Sequence, residues 1–202
     1  MTIAIRMILA LCVAAFASIA GAQEAPDALV KRVSQDVLQT IKGDPKIQAG
    51  DQARIREVME SKLAPNFDFE RMTALAMGRN WRQATPEQQK RLTQEFKTLL
   101  VRTYSGALAQ YRDQTIDYKP LRADPNASDV IVRTEVVRQG QQPVQIDYGM
   151  EKKDGQWKAY DVVVGGVSLV TNYRDEFNEQ VRAGGIDGLL KTLAQKNGGA
   201  PK

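Results

Sequence analysis

Two Asp/Tyr neighbours could do chemistry in this chain, Asp147-Tyr148 on one candidate strand and Tyr160-Asp161 on the next. A carboxylate base facing a phenol that donates to a developing oxyanion is the equipment of isomerases that enolise ketones, and a cone-shaped α+β domain can hold such a pair. Alternation along a strand sends Asp147 to the face opposite Tyr148, so the two cannot meet within one strand. The plainer expectation is that Asp147 pairs with a Lys or Arg across a solvated face. Imidazole chemistry is excluded. The 202 residues contain no His and one cysteine, Cys12, so there is no Ser-His-Asp or Cys-His pair, no imidazole base and no zinc site of the usual His/Cys type.

Other short motifs say less. There is no Walker loop, Rossmann glycine fingerprint or EF-hand. Gly165-Gly166 follows a strand and reads as a tight turn where the backbone needs freedom. Arg79 and Arg82 flank Asn80-Trp81, so a phosphate beside a stacking surface is conceivable; Trp81 plugging the end of a core is the simpler reading. Asn126-Ala127-Ser128 is treated as a chance match to a glycosylation sequon in a turn.

The first 22 residues are set apart by composition. Arg6 supplies a positive start, residues 7–19 an apolar run, and Ala20-Gly21-Ala22 a small-residue cleavage site, so residues 1–22 are read as a secretory signal with the mature chain beginning at Gln23. The run is shorter than the roughly 20 residues a bilayer-spanning helix needs, and no basic stop-transfer cluster follows. Cleavage would remove the only thiol, leaving an exported protein without disulfides whose stability rests on packing. It would also remove Arg6, lowering the formal net charge from +4 to +3. Basic and acidic residues are interspersed, which argues for a mixed-charge surface and against nucleic acid as a partner.

Behind the signal, the apolar period predicts helices and then strands. Pro26 opens a helix carrying Leu29, Val30, Val33, Val37, Leu38 and Ile41 at three- and four-residue spacing and ending at Gly43-Asp44-Pro45. A second amphipathic segment runs from about residue 51 to 63. A short helix begins near Phe69, and Gly78 closes it. Thr85-Pro86-Glu87-Gln88 is a capping box with proline at the first helical position, and it starts a long helix striped with Leu92, Phe96, Leu99, Leu100, Thr103, Ala107, Leu108 and Tyr111 through about residue 112. From Thr115 the period changes to two. Residues 116–118, 130–137, 144–151 and 157–164 are expected to form an antiparallel meander of four strands, with an Asp154-Gly155 hairpin signal. Gly184-Gly185 is expected to end a helix over Phe177 and Val181, and a last short helix holds Leu189, Leu190 and Leu193. Residues 23–196 are therefore expected to form one α+β domain, a twisted antiparallel sheet of about four strands covered by helices, with residues 197–202 a disordered tail. One sheet face offers Val130, Val132, Val136, Val144, Ile146, Tyr148 and Met150. Whether that apolar face meets a filled core or a cavity stays open at this level, as do isomerase, adaptor and binding-module readings.

Three stretches carry a resemblance. They are residues 67–88, containing Phe67-Asp68-Phe69-Glu70-Arg71-Met72 and Gly78-Arg79-Asn80-Trp81-Arg82; residues 96–104; and residues 161–174, containing Val164-Gly165-Gly166-Val167-Ser168-Leu169-Val170-Thr171-Asn172-Tyr173. With Phe177 and Gly185-Ile186-Asp187-Gly188-Leu189-Leu190, they resemble MlaC, the periplasmic phospholipid-transport family also described as toluene-tolerance auxiliary proteins. The resemblance covers nearly all of the chain beyond the signal. It implies a periplasmic, non-enzymatic carrier whose only bound group is its diacyl glycerophospholipid cargo. The partners it implies are an outer-membrane lipoprotein complex and an inner-membrane complex of an MCE-domain ring with an ABC transporter, in a traffic that maintains outer-membrane lipid asymmetry.

On that resemblance, the sheet residues expected to face lipid are Val130, Val132, Val136, Val144, Ile146, Tyr148 and Met150. Leu75, Met77, Leu100, Tyr104, Leu108, Val164, Val167, Leu169, Val170 and Tyr173 are the expected counterparts from the helices and connections. Arg82 and Arg174 are the candidates for a head group.

Overall fold

The computed structural model describes residues 24–109, 114–124 and 126–198; the proposed signal, Cys12 and Tyr111 lie outside them. The element order is α1 (Pro26–Gly43), α2 (Pro45–Gln48), α3 (Gln52–Val58), α4 (Phe69–Met77), α5 (Pro86–Ala109), β1 (Thr115–Tyr118), β2 (Asp129–Val137), β3 (Val144–Lys153), β4 (Gln156–Val164), β5 (Val167–Ser168) and α6 (Arg174–Lys196). Local chemistry starts several of the helices. Pro26 occupies the first turn of α1. Asp44 caps α2, accepting from the amides of Lys46 and Ile47, and Asp51 caps α3, accepting from Ala53 and Arg54. The expected capping box opens α5: the Thr85 amide donates to Gln88 Oε1 at 3.0 Å and the Gln88 amide to Thr85 Oγ1 at 3.2 Å. The second amphipathic segment is less regular than its pattern. It leaves α3 through a π turn, Met59–Leu63, and a 3₁₀ turn, Ala64–Asn66.

The strands form one antiparallel meander in chain order, β1 to β5. The sheet has a fifth strand beyond the four read from the pattern; at two residues, Val167–Ser168 is too short to show a period. In β2 and β3 the expected alternation holds, with Val132 opposite Tyr148 and Val136 opposite Val144. In β4 it breaks. Gly149 pairs with Asp161 but Met150 with Ala159, so Tyr160 is the extra residue of a bulge. The bulge lets both Ala159 and Val162 contribute to the covered side, a combination that simple alternation forbids.

Two cores share the molecule. One joins α4, α5 and α6 through Met72, Met77, Leu92, Phe96, Phe177 and Leu189, with Phe96 edge-on to both Tyr173 and Phe177 at centroid distances of 5.2 and 5.1 Å. The other joins α1 and α3 to the sheet through Val33, Ile41, Ile55, Val132 and Met150. The helix break expected at Gly184-Gly185 is present: Gly185 has non-helical backbone, φ 67° and ψ −171°, and divides α6 into two helical arms. This second arm buries Leu189, Leu190 and Leu193. Of the tail expected over residues 197–202, residues 199–202 lie outside the described residues; at its start Asn197 Nδ2 donates to the Glu95 carbonyl and carboxylate, at 2.9 and 2.7 Å.

Candidate functional site

Between the two cores lies an apolar cavity of about 460 Å³. α1 supplies Val37 and Leu38, the turn after α3 supplies Met59 and Leu63, and α5 supplies Leu100, Val101, Tyr104 and Ala107. The sheet contributes Ile116, Val136, Val144, Ile146, Tyr148 and Val162, and the chain before α4 contributes Phe67. Val144 is 44% exposed and so stands at the mouth. None of the described lining residues is charged. The polar atoms present are on Ser34, Gln114 and the two tyrosines. Burial pushes the phenols of Tyr104 and Tyr148 up to about 12, so both stay neutral throughout the physiological range and cannot serve as bases.

The Asp/Tyr pairs are parted as alternation requires. Tyr148 lines the cavity, whereas Asp147 accepts from Gln145 Nε2 at 2.9 Å on the sheet's other side. Asp161 is a turn holder: the Ser168 hydroxyl lies 2.8 Å from both its oxygens and in turn accepts from the amides of Val170 and Thr171. Tyr160 donates to Asp129 at 2.8 Å and stacks under Arg71, whose Cζ is 3.5 Å from the ring centroid. Neither pair can act on anything held in the cavity. Among the described residues no group of His, Cys, Asp and Glu is placed to hold a metal ion, and no helix is long and apolar enough to cross a membrane.

Of the residues named from the sequence, Leu100, Tyr104, Val136, Val144, Ile146, Tyr148 and Leu169 come together around this cavity. Val130, Val132 and Met150 point to the same side of the sheet but are covered by α1, in closed core. Met77 and Val170, both 0% exposed, and Leu75 and Tyr173 belong to the helical core. Val164 and Val167 pair at the β4–β5 turn outside the lining, Val167 being 54% exposed. The side chain of Leu108 lies outside the described residues. Neither arginine stands at the mouth lining. Arg82 is exposed on the 3₁₀ turn Gly78–Gln83, and Arg174 donates through Nε and Nη2 to the Leu75 carbonyl, holding the last turn of α4. Missed were Val37 and Leu38, whose stripe on α1 is indistinguishable from core, and Phe67, Phe69 and Val162, which sit beside turns or a bulge.

An apolar, preformed cleft with no charged residue in its described lining and an open mouth defines a binding protein for an apolar ligand. Comparison with known proteins agrees. The MlaC protein family model matches residues 31–195, and the chain belongs to the MlaC family. It is 27% identical to toluene tolerance protein ttg2D of Pseudomonas putida over 190 residues, covering 94% of this chain and 87% of that one. It is 23% identical to the intermembrane phospholipid transport system binding protein MlaC of Haemophilus influenzae over 181 residues, 86% of this chain and 83% of that one. Among solved structures, the phospholipid-binding protein of Ralstonia solanacearum in complex with a phospholipid is 43% identical, with a TM-score of 0.80, covering 88% of this chain and 98% of that chain.

Proposed function

We propose that this protein is a soluble periplasmic carrier of glycerophospholipid, binding acyl chain in the cavity between its two cores and leaving the head group at the mouth by Val144. The observation that carries the reading is the absence of charge from the described lining of a 460 Å³ cavity. Two acyl chains of about thirty methylenes represent on the order of 20 kcal/mol of surface to be kept from water. Such a cargo does not escape into solvent at a useful rate, so transfer takes place while the carrier is docked. Docking at an outer-membrane lipoprotein complex and at an inner-membrane MCE-domain ring with its ABC transporter would supply both ends of the route and maintain outer-membrane lipid asymmetry. The work is done by a cavity and a gate, without catalytic groups.

The test is mass spectrometry of an organic extract of the mature protein, residues 23–202, purified after expression into the periplasm. Near-stoichiometric diacyl phospholipid is expected. A clean extract from folded protein would overturn the carrier reading.

A further inference from the structure

Phe67 and Phe69 stack with ring centroids 5.9 Å apart and planes 27° from parallel. Each lines the apolar cavity and also a second recess, of about 420 Å³. They are the only described residues common to the two linings. The other walls of the recess are Asp68, Lys153, Asp154, Gln156 and Lys158, so it is as polar as the cavity is dry. The two rings are therefore a partition one residue thick. Its position is enforced: Asp68, between them, caps α4 by accepting from the Arg71 amide and binds Lys153 Nζ at 2.5 Å on the polar side. Lys97 Nζ stands 5.7 Å from the Phe69 centroid and adds a cation–π contact.

Resting on the carrier reading, we propose that the Phe67–Phe69 partition sets the upper limit on the length of acyl chain this protein accepts. A chain whose end reaches the rings is covered along its whole buried length. A longer one must either break the stack or leave methylenes at the mouth in water, and each methylene left uncovered changes the partition about fourfold. Removing a ring joins the cavity to the space behind it and gives longer chains somewhere to go.

The experiment incubates the purified mature protein with vesicles containing equal amounts of monounsaturated phosphatidylglycerols that differ only in chain length, then identifies the retained lipid by mass spectrometry. Wild type is expected to show a sharp upper cut-off. Phe69→Ala should move the cut-off to longer chains, raising the first excluded length at least about fourfold relative to the preferred one, while Phe69→Trp keeps it. Phe69→Ala loaded with the wild-type chain profile would overturn the partition and leave the carrier reading standing. Wild type that takes up no lipid at all would overturn both. Should Phe69→Ala fail to fold by circular dichroism, Phe69→Leu, which keeps an apolar contact with the helical core but opens the wall, must shift the profile in the same direction; an unchanged profile there also overturns the proposal.

Discussion

The ring of Tyr160 lies so close over Gly149 that a Cβ at position 149 would stand 3.0 Å from its Cε2 and Cζ atoms. The contact exists because the bulge turns Tyr160 onto that face, where Arg71 covers the ring and Asp129 takes its hydroxyl. Gly149→Ala forces the ring away and loosens the Arg71 salt bridges to Asp129, at 2.7 Å, and to Glu151. A loss of about 1 to 3 kcal/mol is expected by urea unfolding, the range for overpacking. In a Tyr160→Ala background the same glycine change should cost much less; equal costs in both backgrounds would show that the ring is not the obstacle.

Lining residues at different depths separate the mouth from the interior. Ile146 is half-buried in the cavity and Val144 is at its edge. Ile146→Gln places an amide among groups that cannot satisfy it, at about 1 to 3 kcal/mol, so lipid recovered per protein should fall at least about fivefold. Val144→Gln can turn its amide to solvent, and a drop of no more than about threefold is expected. Equal retention by both variants, measured as extracted phospholipid per folded protein, would contradict the depth order.

How much of this was legible beforehand depended on where the determinants lie. Thr85 and Gln88 are three residues apart, and their reciprocal bonds follow from local chemistry alone. The alternation of β2 and β3 identified Val136, Ile146 and Tyr148 as inward because nothing interrupts the pleat there. What separates these from Val132 and Met150 is the placement of α1 over part of the sheet, a long-range packing fact with no local signature. The bulge at Tyr160 likewise arises between strands, so Val162 gave no sign of its position. Phe67 and Phe69 were visible as an i, i+2 aromatic pair, but only the tertiary fold shows that different compartments lie on their two sides.

Acid should weaken the junction of α4 with the β3–β4 hairpin. Burial pushes the Asp68 carboxyl up, but the Lys153 ammonium, the Arg71 amide and Glu151 outweigh it and hold its pKa below the ordinary 3.8. A carboxyl depressed in the folded state stabilises above its unfolded pKa, and that contribution is lost as pH falls through the folded value. The loss therefore lies below about pH 4. At neutral pH Asp68→Asn retains a capping oxygen and loses the charge, for an expected cost of about 1 kcal/mol, held down because the Lys153 side chain is 44% exposed. Urea midpoints followed from pH 7 into this acid range, in wild type and variant, should converge; a constant gap would show that the ion pair contributes nothing.

Arg174 and Arg82 put opposite demands on the protein, although both were named for a head group. Arg174 gives two hydrogen bonds to the Leu75 carbonyl, at 3.1 and 2.9 Å, where the last turn of α4 would otherwise have to find water, and its Cδ and Nε lie 3.9 Å from where a Cβ on Gly78 would stand. Arg174→Ala should lower stability by about 1 to 2 kcal/mol. Because the residue belongs to the helical core's edge and not to the cavity lining, retained lipid should keep its wild-type head-group composition. Arg82→Ala removes an exposed side chain, and stability should change by less than about 0.5 kcal/mol. Thermal unfolding measures the first pair of values, and head-group analysis of extracts from phosphatidylethanolamine and phosphatidylglycerol mixtures measures the second. A shift in head-group ratio with Arg174→Ala, at unchanged stability, would place Arg174 at the ligand after all and move the mouth of the cavity toward α6.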